Sequence, residues 1–237
     1  MLIFALDSTA VVGSVALCRD DTPIASFTVK NGNTHSETLL PMAKALFDVT
    51  GYTPDDVDVF ACSEGPGSFT GVRIGVATVK GLAFGKNKTV IGVSSLEAMA
   101  RNLLPASGLI CAVMNARRGQ VYNALFHADG KELTRLCPDR ALAATDLEAE
   151  LLARGEPFYL VGDGVEVTTA VFQSLTPLPV AFIAAEQNAL GVAACALRLY
   201  KEGVRTTDQE LSPTYLRLPQ AERERLEKEQ AKKGSEQ

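Results

Sequence analysis

An apolar strand pattern, Val57 to Cys62, runs straight into Glu64-Gly65-Pro66-Gly67-Ser68-Phe69-Thr70-Gly71-Val72-Arg73-Ile74-Gly75, and a helical pattern leaves it. A chain that turns this sharply from strand to helix needs glycine for its backbone angles and for close approach. The helix it opens presents unpaired N–H groups that can hold an anion. The spacing is G-x-G-x-x-x-G, which is neither the dinucleotide fingerprint nor a Walker A loop, and Lys86 is followed by Asn87 where a P-loop needs Ser or Thr. A tight strand-to-helix turn accounts for the segment without any ligand. The helix itself is less ordinary. Gly71, Gly75, Gly81 and Gly85 fall within one helical stretch, and each interior glycine costs about 1 kcal/mol relative to alanine. Gly71 and Gly75 leave a smooth stripe that another helix or strand can approach, while Val72, Val76, Val79 and Leu82 or Ala83 continue an apolar face. Close packing inside the chain and packing against a second subunit would each offset the cost. On the second reading Gly75→Leu disrupts pairing and leaves the monomer folded.

Composition narrows the function classes. The 237 residues, 46% apolar and 22% charged, suit one large domain or two small lobes with a real core. A net charge of −5 argues against an autonomous nucleic-acid binder, so work beside RNA would require a partner to supply a basic groove. Cys18, Cys62, Cys111, Cys137 and Cys195 are odd in number, widely spaced and mostly set in apolar runs, the pattern of reduced core cysteines in a cytosolic protein. The apolar start is broken by Asp7 and lacks a basic region, which excludes a signal peptide, and no apolar run approaches the ~20 residues of a membrane span.

The first hundred residues read as βββαβαβα: strands at Leu2–Leu6, Ser14–Cys18 and Ile24–Val29, a helix at Ser36–Val49, a strand at Val57–Cys62, the glycine-rich helix, a strand at Val90–Val93, and a helix at Ser95–Asn102. The second half begins the same way. Superposing Leu2 on Ile110 carries Leu6 onto Met114, Asp7 onto Asn115, Ala16 onto Ala124 and Asp21 onto Asp129. A helix at Thr145–Ala153, a strand at Pro157–Val161, a helix at Val165–Gln173, a short strand at Val180–Ile183 and a helix at Asn188–Lys201 follow. The chain is therefore expected to be α/β with two duplicated lobes, residues 1–105 and 106–218, and a charged, disordered tail at 219–237.

Asp7, followed by Ser8 and Thr9 at the end of the first strand, can hold a hydrated magnesium ion and contact phosphate, or it can cap its own turn. The matching position is Asn115, a poorer cation ligand. Asp163, between Gly162 and Gly164, is a further loop acid of the turn-forming kind. His35 has Leu39 at i+4 and His127 is the only other histidine, so a zinc or iron site of ordinary ligands is not expected. Thr34 and Glu37 fit a capping box ahead of a helix whose broad stripe is Leu39, Leu40, Ala43, Leu46 and Phe47, with Pro41 kinking it or delaying its start. That stripe either packs the core alone or also serves a partner. Arg117 and Arg118 sit on a loop that either contacts a phosphate or partner carboxylate or is a solvated turn.

Taken together, Leu6-Asp7-Ser8-Thr9, His35-Ser36, Leu39-Leu40-Pro41, Gly65 to Gly85, Ser94 to Ala98, Ala116 to Tyr122 and Pro213-Thr214-Tyr215-Leu216-Arg217 resemble the TsaB family, also called YeaZ. The Gly-Pro-Gly-Ser-Phe-Thr-Gly segment is highly specific to it. The resemblance implies a pair of RNase H-like lobes, similar to the actin, hexokinase and Hsp70 ATPases (the ASKHA fold). It implies a non-catalytic subunit that pairs with the catalytic paralogue TsaD and, with the ATPase TsaE, serves formation of threonylcarbamoyladenosine in tRNA. It implies no cofactor of the chain's own, ATP and magnesium entering through the partners, tRNA contacted indirectly, a homodimer when alone, and a cytoplasmic location. Pairing is expected through two N-lobe helices at Leu39, Leu40, Ala43, Leu46, Phe69, Gly71, Gly75 and Val76, and phosphate or nucleotide contact at Asp7, Ser8, Thr9 and Arg117. Two departures are visible. Members usually carry aspartate where this chain has Asn115, and TsaD has an H-x-x-x-H metal pair where this chain has His35 and Leu39. An ATP-binding phosphotransferase using Asp7, and a glycoprotease-like hydrolase, are the rival functions.

Overall fold

The computed structural model describes residues 1–172, 179–183 and 187–217, the strand at 179–183 by its backbone. The tail expected at 219–237 lies outside the described residues. The first lobe is built on β1 (Leu2–Asp7), β2 (Gly13–Arg19), β3 (Thr22–Val29), β4 (Val59–Gly65) and β5 (Thr89–Ser94), in the order β3-β2-β1-β4-β5. β1, β2 and β3 pair antiparallel; β4 and β5 join parallel to β1. The second lobe repeats this plan. β6 (Ser107–Arg117) pairs antiparallel with β7 (Gln120–Asp129), β7 with β8 (Leu133–Arg135), and β10 (Phe158–Val161) and β11 (Pro179–Ile183) lie parallel on the other side. The sheet order β11-β10-β6-β7-β8 mirrors that of the first lobe, and the extra strand β9 (Arg140–Ala143) also pairs with β7. Two duplicated RNase H-like lobes are therefore present, as Leu6/Met114 and Asp7/Asn115 suggested.

Period-two alternation decides how each sheet is covered. In β1, Leu2, Phe4 and Leu6 face a core shared with α1 (His35–Thr50) and α2 (Phe69–Ala83). Ile3 and Ala5 face the opposite way, onto α6 (Ala189–Lys201). In β6, Leu109, Cys111 and Val113 meet α4 (Ala144–Arg154) and α5 (Val165–Thr169), while Ile110, Ala112 and Met114 meet α3 (Ser95–Arg101). The long helix expected at 165–173 is this short α5. The helices are thus exchanged: α3, from the first half of the chain, covers the second sheet, and α6, from the second half, covers the first. α3 and α6 pack on each other between the sheets, so the lobes in space are not the contiguous halves of the sequence. Glu97 of α3 clasps this seam, its carboxylate accepting from Arg198 of α6 at 2.8 Å and from Arg135 of β8 at 3.0 Å. Burial alone would raise the Glu97 pKa, but the two guanidiniums outweigh it and hold the group below the usual range.

α1 begins at the Thr34/Glu37 capping box and runs unbroken through Pro41. Of the two effects expected of Pro41, a delayed start is therefore not found. Leu39, Ala43 and Leu46 on α1 and Val76 on α2 are buried in the chain's own core. They cannot be the pairing surface. Nor can Gly71 and Gly75. A Cβ on Gly71 would lie 2.1 Å from the Ser8 carbonyl oxygen, and one on Gly75 would lie 2.4 Å from Ser8 Oγ and 3.0 Å from Leu6 Cδ1. Both glycines exist so that α2 can lie against the β1–β2 turn, which overturns the expectation that Gly75→Leu spares the monomer. Gly71→Ala and Gly75→Leu are each expected to destabilise the isolated chain by about 1–3 kcal/mol through overpacking, despite the better helix propensity of alanine and leucine. Chemical denaturation of the purified variants checks this, and midpoints at or above that of the parent would refute it.

Candidate functional site: the interlobe cleft and the outer face of α1 and α2

A cleft of about 520 Å³ opens between the lobes. One wall is the turn after β1, Thr9 to Val11, and the Pro66-Gly67 part of the turn leading into α2. The other is the β6–β7 hairpin with Asp163, and the chain segment from Thr214 to Arg217 closes a side. The two turns that face each other across it are built alike. Asp7 Oδ1 accepts from the Thr9 backbone N–H at 2.9 Å, and Asn115 Oδ1 accepts from the Arg117 backbone N–H at 2.8 Å. Either residue type can make this two-residue side-chain turn, because it needs only a carbonyl-type oxygen. That is the physical reason asparagine can stand at 115.

Asp7 is spent on the fold. It is 1% exposed. Its Oδ1 also accepts from Thr9 Oγ1 at 2.7 Å, and its Oδ2 accepts from Ser63 Oγ. Burial pushes its pKa up, against these hydrogen bonds, which pull it down. Ser8 Oγ donates to the Gly71 carbonyl at 2.9 Å. The expected contact set Asp7, Ser8, Thr9 and Arg117 therefore splits: Thr9 and Arg117 line the cleft, whereas Asp7 and Ser8 are turned inward and bonded within the chain. Asp163 also lines it and accepts from Gln187 Nε2 at 3.1 Å.

The β6–β7 hairpin carries local strain. Arg117, Arg118 and Gly119 all have positive φ (63°, 55° and 69°). Glycine adopts such angles freely, whereas arginine does so at a cost of order 1–3 kcal/mol. Positive φ at both central residues, Arg118 and Gly119, matches the twist of the flanking strands. Arg117, Arg217 and the hydroxyls of Ser68 and Thr70 give the cleft groups that can recognise an anion. Among the described residues, no three His, Cys, Asp or Glu side chains gather where a metal ion could be held. His35 donates from Nε2 to the Ala10 carbonyl at 2.7 Å, and Leu39, one turn on, is buried.

Sequence reasoning missed a second set of residues. Tyr215 lies on Phe69, with ring centroids 4.7 Å apart, and its hydroxyl accepts from Arg73 Nε at 2.7 Å; Arg73 in turn covers the Phe69 ring at 3.8 Å. Phe69, expected in the pairing surface, is thus half-buried at the cleft and already packed. The signal was the Pro213–Arg217 motif, which stands far from the rest of the chain's motifs. Of the expected pairing residues, only Leu40 points outward, at 54% exposed. Also exposed are Phe84, the residue that caps the end of α2, at 78%, and Ala77 and Gly81 on the side of α2 away from its buried residues; Val49, at 69%, lies on the opposite flank of α1 from Leu40. A Cβ on Gly81 would meet nothing within 4 Å. The helix-weakening glycine at 81 is therefore not explained by packing inside the chain.

Comparison with known proteins places this geometry. The family model for TsaD, tRNA N6-adenosine threonylcarbamoyltransferase, matches residues 30–225. The tRNA threonylcarbamoyladenosine biosynthesis protein TsaB of Bacillus subtilis (strain 168) is 31% identical over 242 residues, covering 96% of this chain and 99% of that protein. TsaB of Escherichia coli (strain K12) is 38% identical over 131 residues, 54% of this chain and 56% of that one. A Pseudomonas aeruginosa protein, described as similar to peptidase YEAZ, superposes with a TM-score of 0.80 at 27% identity, over 91% of this chain and 99% of its own.

The state of Asp7 sets a pH dependence. Its carboxyl titrates above its ordinary value of 3.8 in the folded chain, so the folded state binds that proton more tightly than the unfolded one. Its contribution is fully present below pH 3.8 and is lost as pH rises through the raised folded value. Asp7→Asn keeps the turn-forming oxygen, as Asn115 does, and removes this titration. Its stability relative to the parent is expected to improve steadily with pH across that window. Urea midpoints measured at a series of pH values test this, and a parallel offset at every pH would contradict it.

Proposed function

The chain belongs to the TsaB family of tRNA threonylcarbamoyladenosine biosynthesis proteins, and from that premise we propose that it is the non-catalytic subunit that pairs with a TsaD-type catalytic protein. With a TsaE-type ATPase the pair serves transfer of a threonylcarbamoyl group to adenosine of tRNA. One observation carries the non-catalytic reading: the acid and the histidine at the head of the first lobe, the groups there that could hold a metal ion or act as a base, are already committed to the fold. The Asp7 carboxyl is buried and accepts three hydrogen bonds from Thr9 and Ser63, His35 is bonded to the Ala10 carbonyl, and Leu39 is a core residue. A phosphotransferase would need a carboxylate free to hold magnesium near phosphate, and a hydrolase would need metal ligands or a nucleophile beside a base. On this reading ATP and magnesium enter through the partner subunits, tRNA is met through the complex, and the protein works in the cytoplasm. No helix of the described residues is long and apolar enough to cross a membrane.

The docking face is the outer side of α1 and α2. Leu40 and Phe84 supply exposed apolar area, and Ala77 and Gly81 lower the surface of α2 so that a partner helix can come close. The same face self-pairs as a homodimer when the partner is absent.

Gly81→Glu places a charge on this face at a helix position with open space around it. It is expected to leave thermal stability unchanged or slightly higher and to weaken pairing at least tenfold, about 1.4 kcal/mol. Light-scattering mass of the chain mixed with the TsaD-type protein of the same organism, followed by tRNA modification assays omitting each protein, provides the check. Undiminished association of the variant refutes the docking face. Threonylcarbamoyl transfer without this chain refutes the subunit role.

A further inference from the structure

We propose that the segment Leu211–Arg217 is a latch that fixes the angle between the two lobes and thereby the width of the cleft. The α3–α6 seam holds the lobes together on one side, and no residue of either helix lines the cleft. The segment crosses on the cleft side, where the seam gives no support. It starts anchored in the first lobe: the Leu211 side chain is buried in the core beneath α2, and its carbonyl accepts from Lys80 Nζ at 3.0 Å. Thr214 N–H then donates to the Glu64 carbonyl at 2.7 Å, at the start of the Gly-Pro-Gly turn. The fit there is close enough that a Cβ on Gly65 would lie 2.3 Å from the Thr214 carbonyl oxygen. Tyr215 is pinned to α2 by Phe69 and Arg73. Two residues on, Arg217 Nη1 donates to the Ala116 carbonyl of the β6–β7 hairpin at 2.7 Å, in the other lobe.

One short run of chain therefore touches the first-lobe core, the turn, the start of α2 and the second-lobe hairpin. Any opening of the cleft about the seam must break the Arg217 bond or pull Tyr215 off Phe69. The hairpin it holds is the one whose arginines have positive φ, so the latch also fixes where Arg117 stands in the cleft. None of this depends on the pairing reading above, because every contact is within one chain.

Amide hydrogen exchange by mass spectrometry on the full chain tests the latch with Arg217→Ala, Tyr215→Ala and Tyr215→Phe. Release is expected to speed exchange about tenfold at the Ala116–Val121 hairpin and at the first turn of α2 together. The amides of β1 and of the middle of β6 should be unchanged, and Tyr215→Phe, which keeps the ring and loses the bond to Arg73, should fall between parent and Tyr215→Ala. Faster exchange confined to residues 214–217, or a uniform rise throughout the chain, overturns the proposal. Should Tyr215→Ala fail to fold, Arg217→Ala decides, since Arg217 lies outside the core clusters. Its radius of gyration by small-angle scattering must then exceed that of the parent, and an unchanged value overturns the proposal equally.

Discussion

The molecule is organised by the interlock of two turns in the first lobe. Ser68 N–H donates to the Thr9 carbonyl at 2.7 Å, and Ser8 Oγ donates to the Gly71 carbonyl at 2.9 Å, so the turn after β1 and the turn before α2 hold each other through one backbone–backbone bond and one from a side chain to the backbone. Buried backbone groups of this kind must be paired, and here pairing is possible only because Gly67, Gly71 and Gly75 lack the side chains that would separate the two segments, a Cβ on Gly67 falling 2.5 Å from the Thr9 carbonyl oxygen. Asp7 stiffens the arrangement from below by accepting from Thr9 and Ser63. From this one contact follow the seat of α2, the position of Phe69 at the cleft, and which face of α2 is left for solvent or a partner.

Much of the architecture was legible because strand alternation and the repeat are local properties. Leu2, Phe4 and Leu6 against Ile3 and Ala5 state which residues share a face, and the Asp7/Asn115 correspondence states that the plan occurs twice. What the sequence did not disclose is where each face goes. The exchange of α3 and α6 between sheets is a tertiary choice, since a short amphipathic helix such as Ser95–Arg101 fits either sheet equally well by periodicity. The strands β8 and β9 are three and four residues long, too short for alternation to announce them.

The glycines of α2 show the same limit at the site. Gly71, Gly75 and Gly81 look equivalent in the sequence, because each costs helix stability by the same mechanism. In space they divide: two are buried beneath Ser8, while the third stands on the open side with nothing near it. Only the direction of the helix face separates an internal close approach from an external one, and the stripe Leu39, Leu40, Ala43, Leu46 is broad enough to permit either rotation. Leu40 alone proved to point outward. The interface expected from the stripe was therefore set about one helix face away from the surface that is exposed.

The pairing of Asp7 with Asn115 bears on why such a fold need not be a nucleotide-using enzyme. Two lobes around a cleft suit a charged ligand only if the acids at the strand ends are free to hold its cation. Here one of the two positions has no charge and the other is buried and hydrogen-bonded within the chain through both carboxyl oxygens. Each residue still performs the conformational half of the task, closing its turn with a side-chain oxygen, and that half is what keeps β1 and β6 entering the cleft in the same geometry. Selection on shape alone would keep an oxygen at both positions and leave charge at 115 dispensable. On the reading proposed above, in which the chain presents a surface to a partner, that is the constraint expected.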